Sequence, residues 1–221
     1  MLRVKICGIT QLDDAQRACD LEADAIGFIF YEKSPRCVTM EKAAEIAKQL
    51  PGHVARVGVF VNASRDKILR HLETVGLDAV QFHGDYNISE LEQFNVEQVI
   101  AVARVSDTFC SAELKNFRGR AAAILLDTHK KGLYGGTGET FDWQAAIEAK
   151  AYGRIILAGG LSPENVQRAV ETVSPYAIDV SSGVEAQPGK KDAMKLEQLF
   201  HNVKEYRYDW KPASNPRFPM A

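Results

Sequence analysis

The feature that most constrains this chain is its opening, Arg3-Val-Lys-Ile-Cys-Gly-Ile-Thr10, which packs a strand, a sharp turn and a helix start into eight residues. Strand side chains alternate between faces, so Val4 and Ile6 share one face and Arg3, Lys5 and Cys7 the other. Gly8 permits the tight turn, and Thr10, with Asp13 three positions on, is placed to cap a helix. Ala15, Ala18 and Cys19 follow at helical spacing. Cys7 therefore ends a strand just where the chain leaves the sheet. The rest of the sequence repeats this unit with variations.

Apolar, β-branched runs open near Leu2, Asp24, Ala55, Ala79, Gln98, Ala121, Arg154 and Ala177. Between them lie helical signals. Thr39 can cap a stripe of Ala43, Ile46, Ala47 and Leu50, and Ser64 one of Ile68, Leu72 and Val75. Ser162-Pro163 is a cap with proline at the first helical position, ahead of Val166, Ala169, Val170 and Val173. The last stripe is Leu196, Leu199, Phe200 and Val203; shorter ones predict helices over Ile88–Phe94 and Phe109–Phe117. Eight strands alternating with eight helices, roughly 25 residues per unit, predict a parallel sheet. Periodicity is compatible with a closed (β/α)8 barrel or an open doubly wound sheet. The count of eight favours the TIM barrel, for which 221 residues is near the lower size limit. Residues 1–205 show no internal boundary and are read as one barrel. Residues 206–221 carry Tyr206, Tyr208, Trp210 and Phe218 among three prolines. They read as an irregular tail whose aromatics either pack back on the barrel or mark an oligomer contact.

In both parallel architectures chemistry gathers at the carboxyl ends of the strands. There the sequence offers Cys7, Arg36, His83 and Asp127, together with Asn62 and two glycine- and serine-rich turns, Gly159-Gly160 and Ser181-Ser182-Gly183. Backbone N–H groups at such turns, ahead of helices, make an anion site, and the loops after strands seven and eight of a barrel often hold a phosphate. Each residue also has an ordinary reading: Cys7 a small buried hydrophobe, Asp127-Thr128 an Asx turn, Arg36 a solvated charge, His83 a partner of a backbone carbonyl. Their convergence outweighs those readings. The loop Thr128–Thr140, with Gly132, Gly135, Gly136 and Gly138, lacks the order of a P-loop and fits a lid over the rim. No metal-ligand spacing and no G-x-S-x-G elbow occur, so no metal and no redox cofactor is expected. Cys7, Cys19, Cys37 and Cys110 form no C-x-x-C pair and are expected to be reduced thiols of a cytoplasmic protein. A formal charge of −2 and the lack of a long apolar run point away from nucleic-acid and membrane partners.

With these residues laid out, the sequence resembles the phosphoribosylanthranilate isomerase family of tryptophan biosynthesis, over nearly the whole chain to about Val203. The likeness rests on Val4-Lys-Ile-Cys-Gly-Ile-Thr10, Ala25-Ile-Gly-Phe28 through Ser34-Pro-Arg36, Val57-Gly-Val-Phe-Val-Asn62 and Val80-Gln-Phe-His-Gly84. It continues through Leu126-Asp-Thr128, Gly135-Gly-Thr-Gly138, Phe141-Asp-Trp143, Leu157-Ala-Gly-Gly-Leu161 and Asp179-Val-Ser-Ser-Gly-Val-Glu185. Cys37 departs from the pattern, standing where an aromatic is more usual. The resemblance implies a (β/α)8 barrel and an Amadori rearrangement of N-(5-phosphoribosyl)anthranilate to a 1-deoxyribulose 5-phosphate adduct. It implies Cys7 as general base, Asp127 as general acid and Arg36 as receiver of the anthranilate carboxylate. His83, Gly159, Gly160, Ser181, Ser182 and Gly183 complete the expected substrate site. The expected partner is a phosphorylated small molecule, met by a monomer or homodimer. The alternatives are a barrel acting on another sugar phosphate, or one that binds without catalysis. Strand alternation adds one expectation of its own: Lys5 points into the barrel and pairs with Asp179 across the seam between strands one and eight.

Overall fold

A computed structural model describes residues 1–106, 109–127, 143–207 and 218–219. Eight parallel strands close into a barrel in the order β1 (Arg3–Cys7), β2 (Ala25–Ile29), β3 (Ala55–Val61), β4 (Ala79–His83), β5 (Val99–Arg104), β6 (Ala123–Asp127), β7 (Ile155–Ala158) and β8 (Ala177–Val180). The seam is β1 against β8, with Lys5 opposite Asp179. Closure decides between the two architectures that periodicity left open. Two faces of every strand are covered, one by helices and one by the barrel interior, which is why the strands read as near-continuous apolar runs.

The outer layer is α1 (Leu12–Asp20), α2 (Met40–Ala47), α3 (Arg65–Val75), α4 (Ile88–Leu91), α5 (Trp143–Ala149), α6 (Pro163–Val173) and α7 (Ala193–Val203). Thr39 and Ser64 cap α2 and α3, accepting from the backbone N–H of Lys42 and Lys67. Ser162 and Asn165 form a capping box on α6 with Pro163 in its first turn. Three local expectations differ. Thr10 is not the cap of α1, which is Gln11; its hydroxyl donates to the carbonyl of Gly189. The helix expected over Phe109–Phe117 is a 3-10 run, Ser111–Phe117, in which only Leu114 is buried. One buried residue gives no second ridge to pack, so nothing holds an α turn there. The helix expected over Ile88–Phe94 is a single turn ending at Leu91. Between β8 and α7 lies a small antiparallel hairpin, β9 (Glu185–Gln187) and β10 (Lys190–Lys191).

The barrel interior is filled by Val57, Ile100, Leu125 and Ile156 above a floor of alanines: Ala25, Ala55, Ala79, Ala123 and Ala177. Such a floor leaves room, and Phe218 takes it, fully buried in the same cluster. Its ring lies 6.4 Å from that of Tyr176, while Tyr176 Oη and Arg154 Nη1 donate to the Pro219 carbonyl at 3.1 and 3.4 Å. Arg207 is buried too and bonds Asp24 (2.6 Å) and the carbonyls of Leu2 and Glu22. Of the two readings of the tail, the described part packs back on the barrel; Tyr208 and Trp210 lie outside the described residues, as does the loop Thr128–Thr140.

Candidate active site

Lys5 and Asp179 form the predicted ion pair inside the barrel, Nζ to Oδ2 at 2.9 Å, with the lysine fully buried. Burial disfavours the ammonium, yet Asp179 and the Cys7 thiol together more than offset it, and the Lys5 pKa ends above its ordinary value. Cys7 sits one interior position further along β1, also buried. Its neighbour on β2 is Gly27, where a Cβ would stand 2.8 Å from Cys7 Sγ and 3.1 Å from Lys5 Cε. Glycine there is a matter of space for the thiol. Burial and the Asp179 carboxylate push the Cys7 pKa up, against a downward pull from Lys5 and Lys191. The resting group is a thiol.

Across the barrel mouth His83 ends β4 and Asp127 ends β6, with His83 Nε2 3.5 Å from Asp127 Oδ2. Burial lowers the His83 pKa; Asp127 opposes that shift and Arg104 adds to it, so the ring is neutral near pH 7. Arg104, opposite Asp127 in the ladder, carries no sequence signal beyond its place at the end of β5.

The two glycine-rich turns lie against each other. A Cβ on Gly183 would stand 1.9 Å from the Leu161 carbonyl oxygen, so only glycine lets the loop after β8 nest on the loop after β7. Gly159 and Gly160 both have left-handed backbone, φ +84° and +67°. Ser182 begins the 3-10 turn Ser182–Val184 and Gly160 precedes the capped start of α6, so the nested loops bring two helical starts side by side. Ser181 Oγ is buried with no hydrogen-bond partner among the described residues.

Arg36 lies over the end of β1: a Cβ on Gly8, itself at φ +74°, would stand 2.7 Å from Arg36 Cδ. The ordinary reading, a solvated loop charge, does not hold. Arg36 Nε and Nη2 grip the Glu185 carboxylate at 2.8 and 2.6 Å, with the arginine side chain 21% exposed. Glu185 also pairs with Lys191 at 3.0 Å. Neither Glu185 nor Lys191 was marked by spacing, because their partners come from the other end of the chain. The described residues hold no cluster of His, Cys, Asp or Glu suited to a metal ion. Cys7, Asp127, Arg36, His83 and both turns thus stand at the carboxyl ends of the strands, a thiol and a carboxyl group flanked by a guanidinium and two glycine-rich turns.

The profile of the family described as "N-(5'phosphoribosyl)anthranilate (PRA) isomerase" matches residues 4–202. The N-(5'-phosphoribosyl)anthranilate isomerase of Citrifermentans bemidjiense is 48% identical over 92% of this chain and 98% of its own. The crystal structure of phosphoribosyl anthranilate isomerase from Thermotoga maritima superposes with a TM-score of 0.85 at 46% identity, covering 93% of this chain and all of that one. A second structure has TM-score 0.82, 43% identity and the same coverage of both chains. It is a phosphoribosyl anthranilate isomerase in complex with reduced 1-(o-carboxyphenylamino)-1-deoxyribulose 5-phosphate.

Proposed function

Since the chain belongs to the N-(5'-phosphoribosyl)anthranilate isomerase family, we propose that Cys7 and Asp127 are the base and acid of its reaction. The protein is an isomerase of tryptophan biosynthesis, acting on a phosphorylated small molecule. The rearrangement needs a proton delivered to the ribose ring oxygen and another removed from C2′ of the resulting Schiff base. Asp127 delivers the first. Opening the ring makes the C2′ proton acidic, and Cys7 removes it. The first step breaks the C1′–O bond as the nitrogen lone pair forms C=N and the ring oxygen takes the proton. The second breaks C2′–H, forms C1′=C2′ and returns the C=N electrons to nitrogen, so no oxidant or reductant is needed. Gly159, Gly160 and Ser181–Gly183 hold the phosphate, Arg36 the anthranilate carboxylate, and His83, neutral, accepts or donates one hydrogen bond beside Asp127.

The observation that carries this reading is the placement of two proton-transfer groups at one barrel mouth, Cys7 against the turn of Arg36 and Asp127 against His83, with the nested turns at the phosphate end. Fixing the sugar phosphate at its far end orients it between them. Residues 1–205 are taken to carry the whole reaction, a reading supported by two relatives that match 92% of this chain with 98% of their own length. The proposal extends to a cytoplasmic monomer or homodimer with no nucleic-acid or membrane partner. Among the described residues no helix is long and apolar enough to cross a membrane.

Steady-state turnover, followed by loss of anthranilate fluorescence, tests the roles. Cys7→Ala and Asp127→Asn are expected to lose nearly all kcat while substrate affinity stays within about tenfold, because acid–base groups act in the transition state. Either variant with near-native kcat removes that residue from its role. Arg36→Met is expected to raise KM more than it lowers kcat. An unchanged KM places the carboxylate elsewhere.

A further inference from the structure

We propose that Glu185 and Lys191 are positioning residues for this reaction: Glu185 holds Arg36 by one edge of its guanidinium and leaves the other edge to the substrate carboxylate, while Lys191 ties that clamp to the backbone of Cys7 and Ser181. The inference rests on the reading of Arg36 given above and names what aims it.

The contacts form one connected set. Arg36 uses Nε and Nη2 on Glu185, and Nη1 bonds no other described residue. Glu185 Oε1 also accepts from Lys191 Nζ at 3.0 Å and from the Gly189 N–H at 3.3 Å. Lys191 Nζ donates in turn to the carbonyls of Cys7 at 2.7 Å and Ser181 at 3.1 Å. One ammonium thereby joins the end of β1, the end of β8 and the arginine clamp. The β9–β10 hairpin that carries both residues is itself fastened: Thr10 donates to Gly189 O, the Lys191 N–H to Asp14 at 2.8 Å, and Lys195 Nζ to Glu185 O at 2.9 Å.

Stability alone gives a poor account of this set. Lys191 and Glu185 side chains are 1% and 4% exposed, and buried ion pairs return little net stability over apolar side chains of the same size. What apolar side chains cannot do is orient a guanidinium. The charges also count correctly. Arg36 and Lys191 against Glu185 leave one positive charge, which one carboxylate neutralises. An unpaired Arg36 would instead sample many rotamers and give up entropy on binding.

A double-mutant cycle in KM tests the proposal. Glu185→Gln is expected to raise KM about tenfold with kcat within about threefold. In an Arg36→Met background the same change is expected to leave KM unaltered, because Glu185 acts through Arg36. A Glu185→Gln that leaves KM at the parent value, or whose effect adds in full to that of Arg36→Met, overturns the positioning role. Arg36→Met with parent KM overturns the carboxylate reading itself, whatever Glu185→Gln does. Glu185→Asp, which keeps the charge one methylene short, runs the same cycle if the glutamine variant does not fold. Lys191→Met is expected to lower kcat about fivefold as the end of β1 loosens, and Lys191→Arg to restore most of it. Native kcat in Lys191→Met refutes the tie to Cys7.

Discussion

The thiol proposed as the base is held here in surroundings that favour its neutral form. Burial and Asp179 raise the Cys7 pKa, and the cations Lys5 and Lys191 recover only part of that shift. The thiolate fraction, and kcat/KM with it, is expected to climb with pH through and beyond the ordinary thiol value of about 8.5. A kcat/KM that is flat from neutrality upward contradicts this. Alkylation of Cys7 in a Cys37→Ser, Cys110→Ser background reads the same titration, with Cys19, held up to about 12 by burial, staying unreactive. Lys5→Met removes the nearer cation and is expected to move the alkylation profile upward. It also strands Asp179, at a cost of about 3–5 kcal/mol seen in chemical denaturation. The sign for Lys5 itself follows from its raised pKa. Its contribution to stability is complete below the ordinary lysine value and is lost as pH rises through the higher folded one. Lys5 was legible because alternation along five residues of strand needs no knowledge of the fold beyond closure. Arg36 was legible as a rim residue but not as one half of a clamp, since Glu185 lies 149 positions away.

Turns and helix ends divide the same way. The caps at Thr39, Ser64 and Ser162 reach backbone within three residues and were readable. Thr10 looks just as good a cap in sequence, but its hydroxyl is claimed by Gly189, 179 positions on. Glycines of the turns after β7 and β8 also look alike in sequence and differ in kind. Gly160 is needed for its left-handed backbone and has open space around its Cβ position. Gly183 is needed because the Leu161 carbonyl occupies that position. Gly183→Ala is therefore expected to push the two turns apart and weaken inhibition by inorganic phosphate at least about tenfold. Gly160→Ala should cost about 1–2 kcal/mol of stability from backbone strain, with a smaller change in phosphate affinity. Equal effects on phosphate binding would mean that nesting of the turns is not what shapes the cradle.

At the scale of the molecule, the barrel is finished from outside itself. Its floor is all alanine where Phe218 enters, and a composition count cannot reveal a gap that a distant side chain fills. Phe218→Ala is expected to lower stability by about 3 kcal/mol while kcat and KM stay at parent values, the plug lying at the opposite end from Cys7 and Asp127. Thermal or urea unfolding beside the fluorescence assay checks both halves. An intact unfolding curve would make the ring a passenger.

The seam between β1 and β8 bears on how the chain is made. Lys5 leaves the ribosome well before its counterion, which lies 174 positions later. Until Asp179 emerges, any compact arrangement that buries the first strand buries an ammonium without a partner. The nascent chain therefore cannot lay down its barrel strand by strand. Arrested chains ending before β8 should be cut by protease as readily as unfolded ones, and protection should arrive in one step once β8 is free. Synthesis supplies the parts in order, and folding waits for the last of them.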